Sequence, residues 1–230
     1  MAYALKSKTF VQAALQLAGT FLIVYFFPYT LLKPLVLIAF WWVLLRPLSR
    51  EEVIIFILAS LFFVIMDAVV IAQGKLVFSE SFVFGVPAWE LFMWGFTTVH
   101  AKRLTFLNDK PVFWAPGLVL MLFYMIIFSI PIGDTPLFAA SAALLILGLF
   151  FKHDPLTLRY TGYLLLLGFL YETTGVASGL WHYPQAHFIP IPLWFTTMWA
   201  GTGFFMICVV WPGLSIVLQR IDGSRSEHSA

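Results

Sequence analysis

Long apolar runs dominate this chain, and they constrain its fold more than any other feature. Most of them approach the length of about 20 residues with which a helix crosses the hydrocarbon core of a membrane. Eight runs lie between Gly, Pro and charged breakers, at 10–27, 31–45, 53–73, 83–99, 112–130, 137–151, 156–178 and 191–218. Only 10% of the 230 residues are charged, against about 25% in ordinary soluble domains. The sequence therefore predicts an all-α, polytopic integral membrane protein with eight transmembrane helices and no sizeable soluble domain.

Two features of these runs bear on how the chain enters the membrane. The second and sixth runs are short. Each of them could form a tilted helix, a partly re-entrant segment or a fully spanning helix. Lys6 and Lys8 precede the first run as in a signal peptide, but Phe27-Pro28-Tyr29 stands where a small-residue cleavage pattern belongs. We therefore expect the first run to be a retained span.

The distribution of Lys and Arg predicts the orientation. If the N-terminus is inside, eleven of the 13 basic residues fall in inside segments, and only Lys33 and Lys75 fall outside. Short loops rich in Lys and Arg stay on the cytoplasmic side. We expect both termini to be cytoplasmic and the membrane to be the inner (plasma) membrane of a bacterium. The formal charge of +2 gives no indication of nucleic-acid binding.

One stretch of the chain recurs at an offset of 105 residues without a gap. The matched pairs are Asp67 with Glu172, Ala72 with Ala177, Gly74 with Gly179, Phe78 with Tyr183, Pro87 with Pro192, Trp89 with Trp194, Met93 with Met198 and Trp94 with Trp199. The same offset carries the first four runs onto the last four. The sequence thus predicts two tandem four-helix repeats, 1–104 and 105–230, the second with a short polar tail. Four spans per repeat predict a pseudo-twofold axis along the membrane normal.

Three acids fall inside apolar runs, where an ionised carboxylate costs a few kcal/mol or more. They are Asp67, Glu90 and Glu172, and all three belong to the predicted outer half of the membrane. Each could simply hydrogen-bond neighbouring helices or lie at the wet end of a span. Three acids at similar depth in repeated segments instead favour a shared site, in which burial stabilises the protonated, proton-donating form. These three are the candidate catalytic residues.

Aromatic residues accompany the acids in the repeated segments. The candidate substrate-binding residues are Trp89, Trp94, Tyr171, Trp181, Tyr183, Trp194 and Trp199. Trp and Tyr also settle at membrane interfaces, which is the alternative explanation for any single ring. Around an apolar cavity, however, desolvated aromatic faces stabilise a cation by about 2 kcal/mol or more each.

Metal and cofactor sites find little support in the sequence. His182 and His187 are spaced as a His-x4-His pair in a loop without further matched ligands. Cys208 is the single cysteine, and neither a Gly-rich dinucleotide fingerprint nor a phosphate loop occurs. We expect no metal and no cofactor.

The repeated segments resemble the small membrane lycopene cyclase domains of carotenoid pathways. The features in common are an acid at the end of a span, a Gly followed by an aromatic loop, and a Pro-initiated next span, and those proteins also consist of two similar halves. The resemblance covers mainly 67–96 and 172–201, and it implies acidic side chains that protonate an alkene or epoxide. The family pattern has paired acids after the proline. This chain has Pro87-Ala88-Trp89-Glu90 in one half and Pro192-Leu193-Trp194-Phe195 in the other, so only Asp67, Glu90 and Glu172 carry over.

Three functions remain open at this stage. The first is a cofactor-independent isoprenoid cyclase, isomerase or hydratase acting on a carotenoid or terpenoid substrate taken from the lipid. The second is a small transporter or binding protein for lipids or other hydrophobic ligands, since parallel repeats and intramembrane acids also describe small transporters. The third is an accessory subunit of a larger membrane complex. A lateral opening from the lipid to the acids favours the enzyme, whereas a water-filled path across both leaflets favours transport.

Overall fold

The structure, a computed structural model, describes residue 11 and residues 14–27, 31–105, 110–186 and 190–227, the last six by backbone only. Apart from two short strands, its regular structure is helical. The helices are α1 (Ala14–Phe26), α2 (Lys33–Leu45), α3 (Arg50–Ala72), α4 (Glu90–Thr105), α5 (Ala115–Ser129), α6 (Asp134–Phe151), α7 (Pro155–Ala177), α8 (Trp194–Phe205) and α9 (Trp211–Glu227). A π-helical turn, Met206–Val210, joins α8 to α9 without a break. The strands are β1 (Val77–Phe78) and β2 (Trp181–His182).

Three described helices are long and apolar enough to cross a membrane. They are Arg50–Ala72, Asp134–Phe151 and the continuous helix Trp194–Ile221, and shorter apolar helices occupy Ala14–Phe26, Lys33–Leu45 and Ala115–Ser129. Large apolar side chains such as Leu61 and Ile65 on α3 point outwards, with 57% and 63% of their surface exposed. Exposed apolar helix faces are compatible with contact with lipid and with an integral membrane protein.

Helices α3 and α7 end in the same way. Each has 23 residues and closes on an alanine, and a glycine in the left-handed region follows, Gly74 with φ 68° and Gly179 with φ 71°. That conformation is available to glycine without a Cβ clash and ends a helix. Beyond the two glycines, β1 and β2 pair antiparallel, with Val77 opposite His182 and Phe78 opposite Trp181.

The fourth helix begins later than the sequence predicts. The run 83–99 predicts a helix from residue 83, whereas α4 begins at Glu90. Val83 and Val86 instead form an antiparallel bridge around a turn, in which Gly85 has φ 84°. Pro87 disfavours helical backbone at the residue before it, so the helix starts only after this turn. Glu90 thereby becomes the first residue of α4 rather than an interior one.

Charged residues connect the start of α3 to the end of α4. Ser49 caps α3 through a capping box with Glu52, in which the Ser49 hydroxyl accepts from the Glu52 N–H at 3.2 Å and the Glu52 carboxylate accepts from the Ser49 N–H at 3.0 Å. Arg103 on α4 donates to both carboxylate oxygens of Glu52, from Nε at 2.8 Å and from Nη2 at 2.7 Å. Lys102 pairs with Glu51 at 2.9 Å. These pairs tie the two helix ends together where the chain becomes polar.

The described chain divides into two compact units. The first comprises the described residues of Met1–Leu104 and Leu170–Pro192, and the second those of Thr105–Phe169 and Leu193–Ala230. The halves 1–104 and 105–230 stay a prediction from the repeat; the first compact unit also includes the end of α7 and β2. Within the second unit, α5 and α8 pack closely, because the Tyr124 hydroxyl donates to the Thr197 carbonyl and its ring lies against Gly201.

Candidate functional site

The three acids of the apolar runs all lie in the first unit, on three different segments. Asp67 is near the end of α3, Glu90 begins α4, and Glu172 is near the end of α7. Their side chains are buried, with 8%, 3% and 4% of the residue surface exposed. The three carboxyl groups are close enough to interact electrostatically: Glu90 with both others, and Glu172 with Asp67. The structure therefore brings together the three acids that the sequence singled out.

Asp67 and Glu90 form a carboxyl pair. Their carboxyl groups are close enough to interact, and two carboxyl groups can hydrogen-bond each other only if one carries a proton. Glu90 Oε1 accepts from Trp94 Nε1. Glu90 Oε2 and Asp67 Oδ2 are buried without a donor in the part of the chain that the structure describes. A proton held by one carboxyl supplies a donor that the surrounding described groups do not provide.

Glu172 has a different environment from this pair. Its Oε2 accepts from Trp181 Nε1 at 2.9 Å and from the Tyr183 hydroxyl. Burial and the Glu172 carboxyl raise the pKa of Tyr183 well above its ordinary value, so the phenol keeps its proton and remains a donor. Two donors of this kind satisfy both lone pairs of that carboxyl oxygen. Glu172 thus ties the loop around β2 to the end of α7.

Aromatic rings surround the acids within the first unit. Tyr171 packs edge-on against Trp94 with ring centroids 5.2 Å apart, and Phe63 stacks on Trp94 at 5.1 Å. Trp89 lies 6.2 Å from Trp181. With Tyr183, five of the seven predicted aromatic residues occur in this unit. They form a low-dielectric environment in which charge–π interactions are strong.

The other two predicted aromatic residues, Trp194 and Trp199, belong to the second unit. Trp194 Nε1 donates to the Asp134 carboxylate at 3.0 Å. Trp199 packs against Gly168, where a Cβ would overlap the indole ring. Both indoles are nearly fully buried, so packing within this unit accounts for them, and their substrate-binding role stays a prediction.

The sequence did not single out several residues of the first unit that surround the acids. Tyr25 on α1 donates its hydroxyl to the Tyr171 carbonyl at 2.9 Å, and its ring lies 6.4 Å from Trp181. Lys33 on α2 is buried and lies 5.9 Å from the centre of the Trp89 ring. Both sit in the first two apolar runs, outside the repeated motif. The only sequence features that could have indicated these two positions were a tyrosine and a lysine within apolar runs.

The two histidines that the sequence pairs as possible metal ligands are His182 and His187. His182 is exposed at the end of β2, and His187 lies outside the described residues. Among the residues that the structure describes, no group of three or more His, Cys, Asp or Glu side chains is arranged to hold a metal ion. His100, which directly follows the predicted run 83–99, is buried within α4.

Comparison with known proteins identifies a fold and no family. No family model matches the sequence, and no curated protein matches it. A solved structure, the crystal structure of a cross-linked MvINS trimer at 1.9 Å resolution, is similar with a TM-score of 0.62. The match covers 76% of this chain and 98% of that chain at 18% sequence identity. At this identity the similarity shows a shared fold alone.

Proposed function

We propose that this protein is a membrane-embedded, cofactor-independent cyclase, isomerase or hydratase of isoprenoids, acting on a carotenoid or terpenoid. The observation that carries the proposal is the buried Asp67–Glu90 carboxyl pair among aromatic rings. A carboxylic acid kept protonated by its surroundings is the group that acid catalysis on an alkene or epoxide needs. The resemblance of the repeated segments to small lycopene cyclase domains supports the same reaction class.

The reaction starts with transfer of the shared proton. The O–H bond of one carboxyl breaks, a C–H bond forms on the alkene or an O–H bond on the epoxide, and a carbocation results. The faces of Trp94, Tyr171 and Trp181 stabilise that cation. The carboxylate then removes a proton from a neighbouring carbon, which restores the acid and leaves an isomerised or cyclised product. In a hydratase, water adds to the cation and its proton returns to the carboxylate.

Glu172 serves as a positioning residue in this scheme. Its two donors, Trp181 and Tyr183, hold it as an acceptor, so it is poorly suited to give up a proton. Its side chain instead holds Trp181 and Tyr183 in place beside the Asp67–Glu90 pair.

A binding or transport protein for lipids or other hydrophobic ligands is the second candidate. Asp67 Oδ2, Glu90 Oε2 and Trp89 Nε1 are buried without hydrogen-bond partners in the described part of the chain, and the polar end of a bound ligand satisfies such atoms without any reaction. The third candidate, an accessory subunit of a membrane complex, rests on composition alone. For the enzyme and the binding protein the expected partners are membrane lipids and a hydrophobic ligand, with no nucleic acid, metal or cofactor.

Lipids that co-purify with the protein distinguish these candidates. We expect mass spectrometry of the extract to identify an isoprenoid, and incubation of the purified protein with that compound to yield an isomer or hydrate of it. Recovery of the isoprenoid without conversion contradicts the enzyme and supports the binding protein. An extract that contains membrane phospholipids and no isoprenoid contradicts the enzyme and leaves the lipid-binding protein as the favoured candidate.

The finer architecture of eight spans in two tandem repeats is also part of the proposal. Its support is that α3 and α7 begin and end 105 residues apart, at Arg50 and Pro155 and at Ala72 and Ala177. A left-handed glycine follows each at the same offset. Both helix ends thus keep the register of the sequence repeat.

The proposed location is a bacterial inner membrane with both termini cytoplasmic. We expect Ser81→Cys and Gln185→Cys to react with an impermeant maleimide added from outside, because Lys and Arg concentrate on the opposite side. His153→Cys is the inside control. The native Cys208 is buried and leaves a silent background. Labelling of Ser81→Cys and Gln185→Cys only from the cytoplasm shows that the orientation is reversed.

A further inference from the structure

A cavity of about 660 Å³ lies within the second compact unit, and none of the three acids lines it. Three segments of that unit surround it: the chain that leads into α5, the connection between α6 and α7 with the first turn of α7, and the π-helical turn between α8 and α9. Its volume falls in the range of about 300–1,000 Å³ that is usual for ligand sites. The proposed chemistry makes no use of this cavity.

The π-helical turn joins two of these segments. Pro212 has no N–H and therefore cannot donate to the Cys208 carbonyl, as the fourth residue along an α-helix otherwise does. That carbonyl accepts instead from the Trp114 N–H at 2.9 Å, which fixes the chain before α5 against the turn. Ile207, in the same turn, lines the cavity. The Thr157 hydroxyl lies 3.7 Å from the Cys208 sulfur, so the first turn of α7 packs there as well.

Asp154 organises the wall between α6 and α7. Its carboxylate accepts from the Thr157 N–H at 3.1 Å, from the Thr157 hydroxyl at 2.8 Å and from Lys152 Nζ at 2.9 Å. The acid is thus satisfied by its own neighbours in the chain. An ammonium group has three N–H donors, so Lys152 can bind a second anion while it keeps its bond to Asp154.

Lys110 brings a second positive charge to the cavity from the chain before α5. Its side chain is exposed and makes no ion pair within the part of the chain that the structure describes. With Lys152 and Asp154, it gives the lining a net charge of +1. Two ammonium groups on different segments of one cavity form a suitable site for a phosphate group, because lysine binds phosphate as a point charge.

The rest of the lining indicates that the anion has an apolar part. Val112, Leu156 and Ile207 share the cavity with the lysines, and Val112 is 68% exposed. A free anion would leave these side chains without a partner, whereas a lipid covers them with its chains. Both lysines belong to the predicted inner side of the membrane. Basic pockets between transmembrane helices on that side bind the headgroups of anionic lipids.

We propose that this cavity binds an anionic phospholipid of the inner leaflet. Lys110 and Lys152 donate to the phosphate, and the first part of the lipid chains lies along Val112, Leu156 and Ile207. The site goes beyond the function proposed for the acids of the first unit and does not depend on it.

Lys110→Gln is the test variant, and Arg220→Gln is its matched control. Both residues are exposed, belong to the second unit and lose one positive charge on the same predicted side, but Arg220 does not line the cavity. Native mass spectrometry of the protein in neutral detergent, titrated with dioleoylphosphatidylglycerol, measures the Kd. We expect Lys110→Gln to raise the Kd about fivefold, equivalent to the contribution of about 1 kcal/mol from one basic residue. Arg220→Gln should bind as the wild type does.

Lys152→Gln tests the other wall, with a similar rise in Kd expected, because its amide can still donate to Asp154 but carries no charge. Lys110 is exposed, so its variant should keep the wild-type unfolding temperature, and it decides the matter if Lys152→Gln does not fold. Equal Kd values for the wild type, Lys110→Gln and Arg220→Gln overturn the site. An equal loss of affinity in Lys110→Gln and Arg220→Gln shows only general attraction and also overturns it.

Two further titrations establish which molecule the cavity takes. Dioleoylphosphatidylcholine, which has the same chains and no net charge, should bind the wild type at least fivefold more weakly, and equal binding contradicts the role of the lysines. Inorganic phosphate at millimolar concentration should leave the lipid bound. Displacement of the lipid by phosphate alone shows that the cavity takes the free anion, which overturns the assignment to a lipid.

Discussion

Asp67→Asn and Glu90→Gln are each expected to reduce isoprenoid turnover by about 10²- to 10⁴-fold, the usual contribution of acid catalysis. The amide keeps the shape of the carboxyl but has no acidic proton to transfer. Neither variant should lose much stability, because an amide N–H supplies the donor that the buried pair lacks. Product formation in membranes that contain the variants, normalised to the amount of folded protein, measures the effect.

Asp134→Asn is the matched control for these variants. Asp134 accepts from a tryptophan, Trp194, as Glu90 does from Trp94, but belongs to the second unit. Its amide variant should retain activity. Glu172→Leu should accumulate less, because it leaves the Trp181 N–H and the Tyr183 hydroxyl without the acceptor that Glu172 supplies. Full activity in both Asp67→Asn and Glu90→Gln disproves the acid mechanism, and failure of both to accumulate shows that the pair is structural.

Gly175→Ala is expected to destabilise the protein by about 1–3 kcal/mol, the usual effect of forcing extra atoms into a packed core. A Cβ at this position overlaps the Trp181 indole. That ring cannot simply move aside, since it is 3% exposed and packs against Phe78 and Trp89. Its displacement also breaks the 2.9 Å hydrogen bond to Glu172, so activity should fall as well. Thermal unfolding in detergent measures the stability change.

Gly162→Ala provides the comparison on the same helix. No described atom lies within 4 Å of a Cβ at Gly162, so the substitution adds only the helix propensity of alanine, a gain of up to about 1 kcal/mol. The two variants should therefore shift the unfolding temperature in opposite directions. Equal shifts would mean that the close contact between α7 and Trp181 does not exist in the folded protein.

Helix positions could be predicted well from the sequence, for a physical reason. In lipid the backbone must satisfy its own hydrogen bonds, so an apolar run of sufficient length has little choice but to form a helix. A helix lies in every predicted run. The start of α4 was missed because Phe84 and Gly85 adopt positive φ and Val86 precedes a proline, a turn that hydropathy does not register. How many of these helices span the membrane stays a prediction.

The identity of the acids was also accessible from the sequence, since charge inside an apolar run is costly wherever the run folds. The different environments of the three acids could not be predicted from the sequence. The repeat matches Asp67 with Glu172 as equivalents, yet Asp67 lies beside the Glu90 carboxyl whereas Glu172 accepts from Trp181 and Tyr183. Likewise, Trp194 and Trp199 match Trp89 and Trp94 in the alignment but belong to the other compact unit.

The sequence alone thus determined the helical class, the approximate helix bounds and which three acids lie within apolar runs. Each of these follows from the local cost of polar groups in an apolar environment. The tertiary structure alone decided which acids pair, that Tyr25 and Lys33 join the surrounding residues, and that Gln16 and His100 meet although 84 residues separate them. Such contacts depend on the rotation of each helix about its axis. Packing between distant segments sets that rotation, and hydropathy along one segment carries no record of it.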